Sequence, residues 1–139
     1  MRTSERLAAI LALLSRNSFF QRCRRSELEF LAATSYPLRF QPGDALCREG
    51  TYASQCFVLA AGHAVVRIDR RGVGVVTRDD VVGERGVLLG TVRAATVIAD
   101  APTLACAIAR ERLESLVEDN RVLRNWMLDN VRRHYPDLG

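Results

Sequence analysis

Three observations predict a mainly β fold flanked by helices. The opening stretch is rich in Ala and Leu and free of Gly and Pro. From Tyr36 onward, short apolar runs are punctuated by Gly and Pro, and the tail returns to helical spacing. The central pattern is that of an all-β roll or sandwich. With 139 residues there is room for one domain with a real core but not for two. The expectation is therefore a single domain over 1–139, with helices in 1–35, a β unit in 36–110 and helices in 111–135.

The stretch 4–15 reads as a helix because Ala and Leu are the strongest helix formers. Arg2 and Arg6 ahead of the apolar run 7–14 superficially suggest a secretory leader. Glu5 interrupts the positive start, and Ser15, Arg16 and Asn17 offer no small-residue cleavage site. The run is also far shorter than the about 20 apolar residues that span a bilayer, so no membrane segment is expected. Asn17 and Ser18 end the helix, Phe19 and Phe20 follow as apolar anchors, and a second helix over 24–33 carries Leu28 and Leu31 on one face.

Strands are expected over 38–40, 45–48, 56–60, 63–69, 74–78, 94–99 and 103–109, seven or eight in all. Turns are expected at Gln41-Pro42-Gly43-Asp44, Ala61-Gly62 and Arg70-Arg71-Gly72. In the tail, Leu113, Leu116 and Val117 line one helix face. Asn120 then caps a second helix bearing Val122, Leu123, Trp126, Met127 and Val131, which Pro136 closes. Trp126 and Met127 at this spacing read as core or interface.

The composition is 48% hydrophobic and 26% charged, a globular balance. All 20 basic residues are arginine, whose planar fork suits phosphates and carboxylates. The net charge of +4 is modest and scattered, so no nucleic-acid partner is expected. Cys23, Cys47, Cys56 and Cys106 show neither zinc-site pairs nor a disulfide framework, which suits a reducing cytoplasm, and Cys56 and Cys106 read as small buried hydrophobes. His63 and His134 lack metal-ligand company. No nucleophile–base pair or Walker-type loop occurs, so binding rather than catalysis is the expected function.

The segment 82–96 is hard to explain by packing alone. It sets Gly83, Glu84 and Arg93 around a short apolar turn. If 87–89 form one helical turn, the amides at its start are unpaired and attract an anion. Gly83 and Gly86 let the backbone approach a ligand, Arg93 can grip a phosphate with two charged hydrogen bonds, and Glu84 can accept from a sugar hydroxyl. The plainer readings are a surface arginine at a strand start and a Glu84 paired to Arg85 or Arg93.

With Gly83-Glu84 followed by Arg93-Ala94-Ala95-Thr96, this segment resembles the phosphate-binding cassette of the cyclic-nucleotide-binding domains. That family occurs in catabolite activator proteins, protein kinase A regulatory subunits and cyclic-nucleotide-gated channels. Phe40-Gln41-Pro42-Gly43-Asp44 and Arg48-Glu49-Gly50 resemble the family's turns, and Phe57-Val58-Leu59 with Gly62 its central hairpin; the likeness spans about 19–133. The resemblance implies a jelly-roll-like β-roll, a double-stranded β-helix, with N-terminal helices and two C-terminal helices. It implies that Glu84 binds the ribose 2′-hydroxyl, that Gly83 and Ala94 offer amides, and that Arg93 pairs with the cyclic phosphate.

The full ligand-binding set expected is Gly83, Glu84, Arg85, Arg93, Ala94, Ala95 and Arg132. In the family an alanine at the position of Ala94 goes with cyclic AMP (cAMP), whereas a threonine hydroxyl there favours cyclic GMP (cGMP), so the resemblance implies cAMP here. Val82 stands where the family has Phe, Val92 where it has Pro, and Arg85-Gly86 where it has an apolar residue and Ala. Arg85 either snorkels outward or adds a second cation near the phosphate. In the family the last helix closes over the base, so Arg132 or Arg133 can stack on the purine; the plainer reading is an exposed basic helix end.

The resemblance thus implies a regulatory sensor that signals through movement of its C-terminal helix to an effector protein or attached effector domain, and it allows a homodimer. A transcription factor of the catabolite-activator type would carry a long dimer helix and a helix-turn-helix; with the chain stopping at Gly139, a stand-alone sensor or the regulatory piece of a larger protein is expected. The alternative, from another class, is a β-roll scaffold or protein-interaction module that binds no nucleotide.

Overall fold

The computed structural model describes residues 2–134, so the reading of Pro136 as the last helix's stop lies outside the described residues. Helix α1 (Thr3–Arg16), a 3-10 turn (Ser18–Phe20) and α2 (Arg25–Thr34) lead into β1 (Tyr36–Phe40), β2 (Ala45–Cys47), β3 (Gln55–Ala61), β4 (His63–Ile68), β5 (Arg71–Thr77) and β6 (Val81–Val82). Helix α3 (Glu84–Leu89) follows, then β7 (Thr96–Ala99), β8 (Thr103–Ala109), α4 (Arg110–Glu118) and α5 (Arg121–His134). Among the described residues the strands form two antiparallel four-stranded sheets, ordered β1-β8-β3-β6 and β2-β7-β4-β5. This is the expected β-roll with flanking helices.

The apolar run of β3 is explained by burial on both faces. Successive strand side chains point to opposite sides. Phe57 and Leu59 face the interior between the sheets, while Cys56 and Val58 face the helices. Strand β8 repeats the pattern, with Ala105 and Ala107 inward and Cys106 and Ile108 toward the helices. The register sets Phe57 opposite Ala107 and Leu59 opposite Ala105, so a large side chain meets a small one across the narrow roll.

Phe19, Phe20, Leu31, Leu113 and Met127 seal the helical side, each fully or almost fully buried and each contributing about 1.5–3 kcal/mol by leaving water. Polar joints fix the helices in place. The Asn17 carboxamide accepts from the Phe19 amide at 2.8 Å and donates to the Asp79 carbonyl, and Arg16 pairs with Asp79 at 3.1 Å, tying the end of α1 to the β5–β6 connection. Asn120 caps α5 as its spacing predicts, accepting from the Leu123 amide at 3.0 Å. No helix among the described residues is long and apolar enough to cross a membrane.

Four local expectations are corrected. The turn expected at Arg70-Arg71-Gly72 lies at Asp69-Arg70, both with positive φ, and Arg71 and Gly72 already belong to β5. Such a two-residue turn matches the twist of the flanking strands, so the glycine beside it is not needed there. Strand β6 was not expected, because two residues leave no periodic signal. The cassette helix spans Glu84–Leu89 rather than 87–89, and β7 begins at Thr96 rather than Ala94. Helix α5 carries Val122 as expected, and that residue is 81% exposed, away from the face that buries Leu123 and Met127.

Candidate functional site

Strand β6 pairs with β3 through Phe57 and Val82, which fixes where the chain enters the cassette. Gly83 then turns it with φ 82° and becomes the N-cap of α3. A side chain here is doubly unwelcome: the conformation is left-handed, and a Cβ would lie 2.5 Å from Arg93 Nη1. The first amides of α3 lack partners in the preceding turn and carry the partial positive charge of a helix start.

Arg93 is held from behind. Its carbonyl accepts from the Gly50 amide and its amide donates to the Thr51 carbonyl, both at 2.9 Å. The side chain is 7% exposed, donates from Nη2 to the Gln55 carbonyl at 2.8 Å, and lies 6.0 Å from the Phe57 ring centroid. Its Nη1 has no hydrogen-bond partner. Glu84, 3% exposed, likewise has a buried Oε2 without a partner.

These groups line a cavity of about 440 Å³, within the range of small-molecule sites. Gly83, Glu84, Arg85, Gly86, Arg93, Ala94 and Ala95 form its cassette side; Cys47, Val66, Ile68, Val73, Gly74, Val75, Val76, Val82 and Val97 form the rest. Val73 and Val75 are more than half exposed and form an apolar rim at the cavity mouth. Of the seven expected site residues, six line this cavity. Arg132 is not among the lining residues: it is exposed, and its guanidinium lies 4.0 Å from Asp129.

Sequence reasoning missed the valine wall, Cys47 and the backbone seat of Arg93. The turn Arg48-Glu49-Gly50 is legible in the sequence, but nothing in its spacing tells that this segment clamps a residue more than forty positions away.

Burial and neighbouring charge together set the ionisation of Glu84. Burial pushes the Glu84 carboxyl up to about 7, against the lowering effects of its own backbone amide, Arg85 and Arg93. Because the folded value lies above the ordinary 4.5, the native chain holds this proton more tightly than the unfolded chain does. Stability is therefore fullest below pH 4.5 and falls as the pH rises through about 7, by on the order of a few kcal/mol. The expected result is a ligand-free melting temperature whose decline between pH 5 and 8 is shallower in Glu84→Gln; equal slopes in both proteins would remove Glu84 as the cause.

The fold and site together define a helix-flanked β-roll with a pocket lined by the buried side chains of Glu84 and Arg93. The chain belongs to the cyclic nucleotide-binding domain family, whose model matches residues 37–120. It is similar to the cGMP-dependent protein kinase of Eimeria tenella, 28% identical over 133 residues, covering 94% of this chain and 13% of that protein. It is also similar to the acetyltransferase Pat of Mycolicibacterium smegmatis, 32% identical over 118 residues, covering 79% of this chain and 33% of that one. Its fold matches the regulatory domain of Toxoplasma gondii PKA co-crystallised with cAMP, with a TM-score of 0.84 at 17% identity, over 94% of this chain and 51% of that one. The chain thus spans a third or less of the length of these two curated relatives.

Proposed function

We propose that this chain binds cAMP in preference to cGMP in the cavity beside α3, and that binding is reported through the C-terminal helices to an effector protein or attached domain. The carrying observation is the pair of buried polar atoms without partners, Glu84 Oε2 and Arg93 Nη1, beside one apolar-walled cavity. A buried group left unpaired costs about 1–3 kcal/mol, more when charged, so a ligand that pairs both recovers that cost. A cyclic phosphodiester brings acceptors for Arg93 and the α3 amides, and its ribose brings a hydroxyl for Glu84.

Support for cAMP comes from the lining: Ala94 brings only a methyl group, and no lining residue among those described carries a side-chain hydroxyl for the extra amino group of guanine. Support for the output route comes from packing, since α3 contacts both α4 and α5. A ligand that draws α3 inward changes the surface on which α5 rests, and the shift is bounded by the ligand's preference for that arrangement. The reading includes a cytoplasmic setting, which the four free thiols suit.

The test is calorimetric titration of cAMP and cGMP into the unaltered chain and Ala94→Thr. cAMP is expected to bind the unaltered chain more tightly, and the added hydroxyl to move the ratio toward cGMP by about tenfold. No heat with either nucleotide up to millimolar concentration would leave the chain a β-roll scaffold. An unaltered ratio would mean that the base is read elsewhere.

A further inference from the structure

Arg85 is the one charged group of the cavity that the phosphate and ribose contacts above do not use. It is half-buried on the second residue of α3, lines the cavity with Glu84 and Arg93, and has no hydrogen-bond or ion-pair partner among the described residues. Its charge acts on the Glu84 carboxyl, ahead of that of Arg93. Glu84 and Arg93 alone would cancel when both are ionised, and a singly charged phosphodiester would then enter a low-dielectric site with nothing left to balance it. With Arg85 present, the site holds one positive charge in excess, equal and opposite to that ligand.

We propose that Arg85 balances the Glu84 carboxylate, leaves the Arg93 guanidinium to the phosphate, and so sets the pocket's net charge to match a ligand carrying one negative charge. The inference rests on the cAMP reading and adds a ligand class. A cyclic phosphodiester closes the charge balance, whereas a 5′-monophosphate of the same nucleoside, close to doubly charged above pH 7, leaves one buried negative charge over.

The other groups around Glu84 do not alter this count. Cys47 from β2 and Cys56 from β3 have thiols pushed up by burial, Cys47 to about 11, and are neutral at pH 8. On its other side Glu84 shares a second cavity with Asp79, Asp80, Asn17 and Asn130. Asp79 is paired with Arg16, and Asp80 accepts from the Thr77 amide at 2.8 Å.

The experiment titrates cAMP and 5′-AMP into the unaltered chain, Arg85→Leu and Arg85→Lys at pH 6 and pH 8. At pH 8, Arg85→Leu is expected to lose about tenfold in cAMP affinity and Arg85→Lys to recover most of it. At pH 6 the loss shrinks, because a protonated Glu84 leaves Arg93 alone to balance the ligand. The unaltered chain prefers cAMP to 5′-AMP at pH 8. Equal losses at both pH values, which a packing role would give, overturn the proposal, as does an unchanged Arg85→Leu. An unaltered chain that binds no cAMP sinks the underlying reading as well, whereas normal binding with an indifferent Arg85→Leu sinks this inference alone.

Discussion

Arg93→Ala is expected to weaken cAMP binding about a hundredfold while leaving the fold close to its original stability. In the proposed complex the guanidinium gives the phosphodiester two charge-assisted hydrogen bonds, each worth about 1.5–3 kcal/mol, so losing both costs two orders of magnitude or more. The fold stands differently to the same side chain. The backbone clamp through Gly50 and Thr51 survives the substitution, because it uses only the main chain at position 93. What disappears is one bond to the Gln55 carbonyl and a buried charge whose Nη1 is unpaired. Removing a poorly compensated buried charge offsets much of the lost packing against Phe57. Calorimetry paired with urea denaturation separates the two effects: affinity within twofold of the unaltered chain would take Arg93 out of the site, and parallel loss of binding and stability would make its role structural.

This division between side chain and backbone also marks what was legible in the sequence. The order Gly83, Glu84, Arg93 could be read directly, because packing alone has no use for that set of residue types in one short segment. The strands were legible where apolar and polar residues alternate or where Gly and Pro bound a run. Strand β6 was not, since Val81 and Val82 are defined only by their pairing with Val58 and Phe57. The Asp69-Arg70 turn is hidden for a related reason: its geometry is imposed by the β4–β5 register, and the adjacent Gly72 is the stronger local turn signal. The valine wall was present as strand residues, but which valines face the cavity depends on the roll's closure. That Arg93 is buried at all follows from Gln55, Phe57 and Thr51, residues about forty positions away that no local pattern connects to it.

The largest loss of stability is expected from Gly62→Ala, where closure of the roll leaves no room for a methyl group. Gly62 joins β3 of one sheet to β4 of the other with φ 105°, a conformation that L residues rarely adopt. An added Cβ would lie 2.6 Å from the Thr103 Cα, 2.7 Å from the Pro102 carbonyl oxygen and against the Thr103 hydroxyl. The first two are backbone atoms at the start of β8, which is paired to β1 and β3 and cannot retreat without shifting both. The Thr103 hydroxyl is also engaged, accepting from the His63 amide at 3.2 Å and donating to the Ala101 carbonyl at 2.9 Å. Backbone strain and overpacking together should cost about 3 kcal/mol or more, a fall in melting temperature of roughly 10 °C. Gly72→Ala is the matched control, since that position has an ordinary φ and no atom within 4 Å of an added Cβ, and it should change stability by less than about 0.5 kcal/mol. Strand β4, which Gly62 leads into, carries Val66 and Ile68 to the cavity wall, so Gly62→Ala protein that remains folded should also bind cAMP more weakly. Equal melting temperatures for the two alanine variants would show that the β3–β4 corner yields, and that the seat of β4 against the pocket is softer than its packing implies.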